Sequence, residues 1–392
     1  MSSSNASVDV QIIGGGPVGL ACAAWCLQKF PELALHLIDR NPQNDSDIVA
    51  SDTRGIALSH GSKLLLDTIQ AWPSDSCAIH SVHVSHVGQF GRALMTREEL
   101  GQEALGHIVR YRGIHLALRE ALRQLQKKAP HFVWQHTGSD NNQDQDQDHS
   151  HARCIVHAEG GLFTQQDWVE SGRDYQQSAL VGLVEVENAQ PHHAWERFTS
   201  EGPLALLPSH HGSNVLNMVW CSSPATAERL NGISDADFLH EIQSTFGSRV
   251  GQFISIRDRR LYPLGLNYRK EIVQGNEVWI GNAAQALHPV AGQGLNLGLR
   301  DAYLLAEQLS GLFSKQTHAT KSRNAIDNAL FEYSTSRQAD RKATIGITDF
   351  LARVFTSPLT PVIAARGAAL SLLQWLPPIK TGLARQMMFG RR

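Results

Sequence analysis

The residues from Val8 to Asp39 constrain the fold more than any other part of the chain. A β-branched run, Val8 to Ile13, ends on Gly14-Gly15-Gly16-Pro17-Val18-Gly19; an Ala/Leu-rich stretch follows to Lys29, and Leu33 to Ile38 leads into Asp39. This reads as strand, turn, helix, strand. Gly14, Gly16 and Gly19 stand in the spacing of a dinucleotide fingerprint, with an acid 20 residues past the last glycine. Gly14 permits the tight turn, Gly16 lets backbone N–H groups reach a pyrophosphate at the helix N-terminus, and Gly19 lets helix and strand pack closely. Asp39 is expected to accept bonds from a ribose hydroxyl. A glycine turn without ligand is the competing reading, and the strand, helix and acid together weigh against it.

The chain is long enough, at 392 residues, for two or three domains of roughly 150 residues each. Apolar residues make up 42% and charged residues 18%, which is ordinary globular usage. The formal net charge of -2 removes the electrostatic reason to expect a nucleic-acid partner. Cys22, Cys26, Cys77, Cys154 and Cys221 show no C-x-x-C spacing and read as reduced thiols, with Cys22 and Cys26 as packing residues of the first helix. Met1 to Ser7 lacks a signal-peptide pattern, and no stretch reaches the roughly 18 apolar residues of a membrane span. The expected location is cytoplasmic, with at most peripheral contact on the inner membrane. No metal is expected, because the histidines, including the pairs His192-His193 and His210-His211, show no zinc spacing and read as solvated.

Gly113 to Lys128 reads as a helix, and Gly138 to His151 as a polar insertion unable to bury itself. Val181 to Val186, Gly202 to Pro208, Val215 to Cys221 and Phe253 to Leu261 read as strands of a second, mostly antiparallel sheet, with Ala236 to Phe246 as a helix. A second glycine cluster then follows a strand end. Val278-Trp279-Ile280-Gly281 runs through Asn282 to His288-Pro289, then Gly292-Gln293-Gly294-Leu295-Asn296, into a helix carrying Leu295, Leu299, Ala302, Ala306 and Leu309 on one face. Bare N–H groups at that helix start would stabilise negative charge on a bound ring, such as a reduced flavin carries.

With both clusters in place, the sequence resembles the aromatic-ring flavoprotein monooxygenases of the p-hydroxybenzoate hydroxylase superfamily, and within it the ubiquinone-biosynthesis hydroxylases. The resemblance covers nearly the whole chain and is carried by GNAAQALHPVAGQGLNLGLRD (Gly281 to Asp301), ERFTSEGPLALLP (Glu196 to Pro208) and RQADRKATIGITD (Arg337 to Asp349). Asn282 and Gln285 stand where the superfamily usually has Asp and often His; the GNAAQ form is that of the branch acting on 2-polyprenyl-6-methoxyphenols. Glu159-Gly160 stands where the superfamily's middle motif has Asp-Gly, and Tyr111 where many relatives carry an amide.

The resemblance implies an α/β fold: a Rossmann-like FAD-binding domain from 1–75, 100–165 and 265–350, a mostly antiparallel substrate domain from 76–99 and 166–264, and a basic amphipathic helical segment at 351–392. It implies FAD as cofactor, NAD(P)H as transient co-substrate, and hydroxylation of a polyprenyl phenol by O2. By position, Gly14, Gly16 and Gly19 would hold the pyrophosphate, Asp39 the ribose, Arg54 the phosphate region, and Glu159 and Gly160 the middle motif. Gly281 and Asn282 would meet the ribityl or phosphate region, and Gly292, Gln293, Gly294 and Asn296 the ring edge. His288 and Pro289 would face the substrate. A surface salt bridge stays open for Arg54, as does a purely structural role for His288. From Leu351 onward there are six basic residues and no acid, leaving -8 on the rest. That tail is expected on an anionic membrane surface or a quinone-biosynthesis complex, with packing on the chain's own core as the alternative. A homo-oligomer, a hydroxylase of another phenol and a non-catalytic FAD-binding scaffold all stay open.

Overall fold

The strands sort into three sheets in the computed structural model, which describes residues 8–40, 54–137, 152–160, 171–314, 323–354 and 360–390. Strands and helices carry numbers in chain order. The first sheet runs β15 (Val273–Gln274), β16 (Glu277–Trp279), β9 (Cys154–His157), β1 (Val10–Ile13), β2 (Leu35–Asp39), β8 (Phe132–His136). It is parallel from β16 to β8. A parallel sheet must be covered by its crossovers, and helices α1 (Pro17–Lys29), α4 (Tyr111–Gln126) and α7 (Gln293–Phe313) share one apolar core with it. Helix α1 is buried almost all round, from Leu20 to Leu27, as a helix lacking a polar face must be. Cys22 and Cys26 are packing residues there, and both are fully buried.

The second sheet runs β17 (Gln285–Ala286), β14 (Phe253–Tyr268), β10 (Ser171–Val186), β13 (Val215–Ser222), β12 (Pro203–Pro208), β11 (His193–Phe198), β5 (Ser81–His86), β6 (Arg92–Thr96). All its pairings are antiparallel except β11 with β5. One face is packed by α5 (Pro224–Gly232) and α6 (Asp235–Phe246) around Leu204, Leu206, Met218, Trp220, Phe238 and Phe246. Because side chains alternate along a strand, the other face carries Ala194, Glu196, Phe198, Ala205, Leu207 and Asn217. A three-stranded sheet, β3 (Gly55–Ser59), β7 (Gly106–Arg110), β4 (Cys77–Ile79), sits beside it. Short helices α2 (His60–Asp67) and α3 (Arg97–Leu100) follow β3 and β6.

Long helix α8 (Arg323–Val354) leads to α9 (Thr360–Trp375) and α10 (Pro377–Phe389). The described cations of the tail are not all turned outward, in line with the own-core packing the sequence left open: Arg366 donates to the Val354 carbonyl, Lys380 pairs with Glu99 at 2.6 Å, and both are buried. Arg353 pairs with Asp349 at 2.7 Å, and Arg385 is exposed. The paired histidines are not simply solvated either. His192 stacks on His80 at 4.3 Å, His193 bonds Ser81 Oγ at 2.6 Å, and the His210 and His211 rings lie 4.0 Å apart in a turn. Strand pairing and turn packing bring them together. The polar insertion at 138–151, Met1 to Ser7, Phe355 and the last two arginines lie outside the described residues.

Candidate active site

The two glycine turns meet. Gly14 ends β1 at φ +118°, and a Cβ there would lie 2.4 Å from the Ala158 carbonyl oxygen, so no other residue fits. A Cβ on Gly19 would fall 2.0 Å from the Gly14 carbonyl oxygen, which fixes α1 close over the turn. One residue earlier, Val18 is the contact of the second cluster: a Cβ on Gly281 (φ +60°) would lie 3.0 Å from it, and one on Gly298 2.9 Å. The starts of α1 and α7 thus border one cleft.

Three glycines of this region face open space. A Cβ on Gly16, Gly160 or Gly294 would meet no protein atom within 4 Å. Helix α1 begins at Gly16 with no side-chain cap and no acid in its first turn, which leaves its N–H groups and positive dipole end for an anion. Helix α7 likewise begins at Gly292, in left-handed conformation at φ +59°, without a side-chain cap. An elongated dinucleotide with a pyrophosphate at Gly16 and its ring edge near Gly294 fits this lining. Gln293, the first residue of α7, is buried, and Asn282 and Pro289 are partly exposed in the connecting loop.

Other site residues behave differently from the sequence expectation. Asp39 lies at the end of β2, but its carboxylate is turned inward and fully buried, 3.2 Å from Arg119 and beneath Gly15. In this conformation it holds β2 to α4 rather than offering itself to a ribose. Asn296 is saturated by protein. Its Oδ1 accepts from the Ser59 N–H (2.8 Å) and the Ser62 hydroxyl (2.7 Å), while its Nδ2 donates to the Ala57 and Gly292 carbonyls. It braces the α7 turn against β3, so its amide has nothing left for the ring edge.

His288 is also a brace. Its Nδ1 accepts from the Val290 N–H at 3.1 Å, which places the proton on Nε2, and Nε2 donates to Gln177 Oε1 at 2.9 Å. Gln177 donates in turn to the Glu201 carbonyl. With both nitrogens used and the ring fully buried, burial lowers its pKa to about 4 and keeps it neutral. The substrate-facing role expected for it does not match this geometry, whereas Pro289 stays at the cleft surface.

Glu159 sits beside a histidine. The His157 ring stacks on Trp279 at 4.8 Å and lies between Glu159 (3.4 Å) and Glu277 (3.0 Å). Burial disfavours its charge, but the hydrogen bonds and charges of the two carboxylates outweigh burial and raise its pKa. Arg54 immediately precedes β3, its guanidinium 4.8 Å from the Tyr262 ring centre and 5.5 Å from that of Tyr111. It lines a small cavity with Gly55, Asn217, Asp258, Arg260 and Tyr262. Sequence reasoning missed Asn217, Gln177 and Tyr262; each sits mid-strand, where polar residues in an apolar run carry the only available signal.

Among the described residues no group of His, Cys, Asp or Glu could hold a metal, and no helix is long and apolar enough to cross a membrane. Comparison with known proteins agrees with the geometry. A family model described as FAD binding domain matches residues 133–337. The chain is 28% identical to a ubiquinone hydroxylase of Rhodospirillum rubrum, over 98% of this chain and 90% of the relative. It is 25% identical to the mitochondrial ubiquinone biosynthesis monooxygenase of Rattus norvegicus, over 97% and 90%. Its fold superposes on p-nitrophenol 4-monooxygenase of Pseudomonas putida with a TM-score of 0.69 at 17% identity, covering 98% of both chains. The family match spans more than half of the residues and takes in the second glycine turn, so the chain belongs to the FAD binding domain family.

Proposed function

We propose that the enzyme hydroxylates the aromatic ring of a polyprenyl phenol of the 2-polyprenyl-6-methoxyphenol type, in ubiquinone biosynthesis, with NAD(P)H and O2 as co-substrates. The observation that carries this reading is the cleft bordered by both glycine turns and faced by the inner side of the antiparallel sheet. A ring lying against Gly292 to Gly294 would have a partly apolar wall opposite it. The ubiquinone-pathway names of relatives spanning nearly the whole chain support the substrate class.

When bound, FAD supplies the electron transfer from NAD(P)H and the activation of O2, chemistry that side chains lack. The chain's own residues bind and orient. Gly16 and the first turn of α1 would hold the pyrophosphate, and the start of α7 would stabilise negative charge on the ring. Val290, packed with Phe198, Ala93 and Ala352, keeps water from that side. Arg54, beside the rings of Tyr111 and Tyr262, would supply a cation for phosphate or nicotinamide. Purified enzyme mixed with NAD(P)H and a short-prenyl 2-prenyl-6-methoxyphenol tests the reading. Phenol-stimulated NAD(P)H oxidation with a product one oxygen heavier is expected; flavin that stays oxidised would favour a scaffold instead.

The tail is the proposed contact with a membrane surface. At the corner between α9 and α10, Leu372, Trp375, Leu376 and Ile379 are exposed, Trp375 by 80%, and no acid lies between Leu351 and Arg392. An exposed apolar corner without acids suits insertion among anionic lipids, where the substrate resides.

A further inference from the structure

One carboxyl group on the inner face of the second sheet has no protein partner among the described residues. Glu196 is the third-from-last residue of β11, an interior strand of the second sheet between β12 and β5. Its neighbours fix which way it points. Trp195 and Arg197 both pack on Phe246 of α6, Trp195 edge-on at 6.2 Å and Arg197 at 5.9 Å. By strand alternation Ala194, Glu196 and Phe198 therefore face the opposite side. Ala194 belongs to the apolar cluster that Ala57 and Leu207 pack against, and Phe198 to the cluster that holds Val290. A Cβ on Gly292 would touch the Ala57 methyl at 3.0 Å. Glu196 thus lies between two contacts that both reach the 290–292 turn, on the sheet face turned toward the proposed ring site. Across the ladder it pairs with Ala205, too small to cover it.

Among the described residues the Glu196 carboxyl has no hydrogen-bond or ion-pair partner, and the residue is partly buried. A recessed acid without a partner is costly, which invites a function. We propose that Glu196 accepts the substrate's phenolic hydrogen bond and takes up its proton as the ring is attacked. In that step the phenol O–H bond breaks, a carboxyl O–H bond forms, and the negative charge passes from carboxylate to phenolate oxygen. The phenolate then feeds electron density to the ring carbon para to it. Burial raises the Glu196 pKa to about 7, so the group exchanges a proton near neutral pH, where a general base works best. The titratable neighbour on β13, Cys221, is an uncharged buried thiol, and His288 in the facing loop is neutral. On β5, His86 stands opposite Phe198 and its Nδ1–H donates to the Val87 carbonyl, and among the described residues no charged group pairs with Glu196.

The inference rests on the phenol-hydroxylase reading, and the test separates the two. Binding of 2-prenyl-6-methoxyphenol and of its methyl ether to the FAD-loaded enzyme is followed by flavin absorbance between pH 6 and pH 8. Ionisation of Glu196 should tighten phenol binding about tenfold over that range, leave the ether unchanged, and vanish in Glu196→Gln. Turnover by Glu196→Gln should fall about 100- to 10,000-fold, with partial rescue by Glu196→Asp. Equal pH profiles for phenol and ether in the wild type, or an unchanged profile in Glu196→Gln, would overturn the assignment. Phenol binding with the expected profile but no hydroxylated product would support Glu196 as the phenol's partner and contradict the hydroxylase reading alone.

Discussion

Single residues divide the cleft into positions that belong to the protein and positions that belong to its ligand. Gly14 and Gly294 are the sharpest contrast. Gly14→Ala forces a Cβ against the Ala158 carbonyl at a positive φ, so the variant should lose several kcal/mol and its FAD together. Gly294→Ala meets no protein atom and improves a helix position. Its Tm should hold or rise while FAD affinity falls at least about tenfold, a pattern that fluorimetric FAD titration beside thermal melts would read directly. His288 carries a pH signature. Its folded pKa of about 4 lies below the ordinary 6.5, so the unfolded chain takes up the proton first as pH falls. Stability present above pH 6.5 is then lost on the way to pH 4, by about 3 kcal/mol. Denaturant titrations of wild type and His288→Gln across that range should show the smaller loss in the variant. His157 has the opposite sign: its raised pKa makes its contribution largest below pH 6.5 and lost as pH rises through the folded value.

At the scale of elements, a buried ionic network bolts the α7 turn to α8. Asp301 accepts from Gln285 Nε2 (2.6 Å) and Arg337 Nε (2.7 Å); Arg337 and Arg300 share Asp340; Arg341 Nε donates to Gln285 Oε1 at 2.8 Å. Two of the strings that carried the resemblance, Gly281 to Asp301 and Arg337 to Asp349, are therefore the two halves of one network. Their kinship was legible from the residues, but their contact was not, because nothing local to either helix announces its partner. Gln285 is a neutral amide that donates to Asp301 and accepts from Arg341. Asp301→Ala removes one of the two carboxylates, each at 2.7 Å, that hold buried Arg337 and should cost about 3–5 kcal/mol, measurable by chemical denaturation.

Over the whole molecule, the parallel sheet and both glycine turns were legible because backbone geometry demands glycine at fixed places and leaves few alternatives. Strands β5, β6 and β11 were not, since their pairing is set by long-range register rather than local pattern; Glu196 went unassigned for the same reason. Asp39, Asn296 and His288 read as ligand contacts in the sequence because it shows that a polar residue lies near a turn, but not whether protein already satisfies it. The tail mixes both sequence readings. Arg366 and Lys380 serve the chain's own packing, while Trp375 and Ile379 remain outward. Trp375→Ser with Ile379→Ser should abolish flotation on vesicles containing anionic lipid without lowering Tm, and flotation equal to wild type would remove the membrane role. The central claim is that one FAD spans both glycine turns, and a crystal structure of the FAD-loaded enzyme tests it most directly. The account predicts the pyrophosphate over Gly16 and the isoalloxazine edge at Gly292 to Gly294; a flavin bound away from either turn would contradict it.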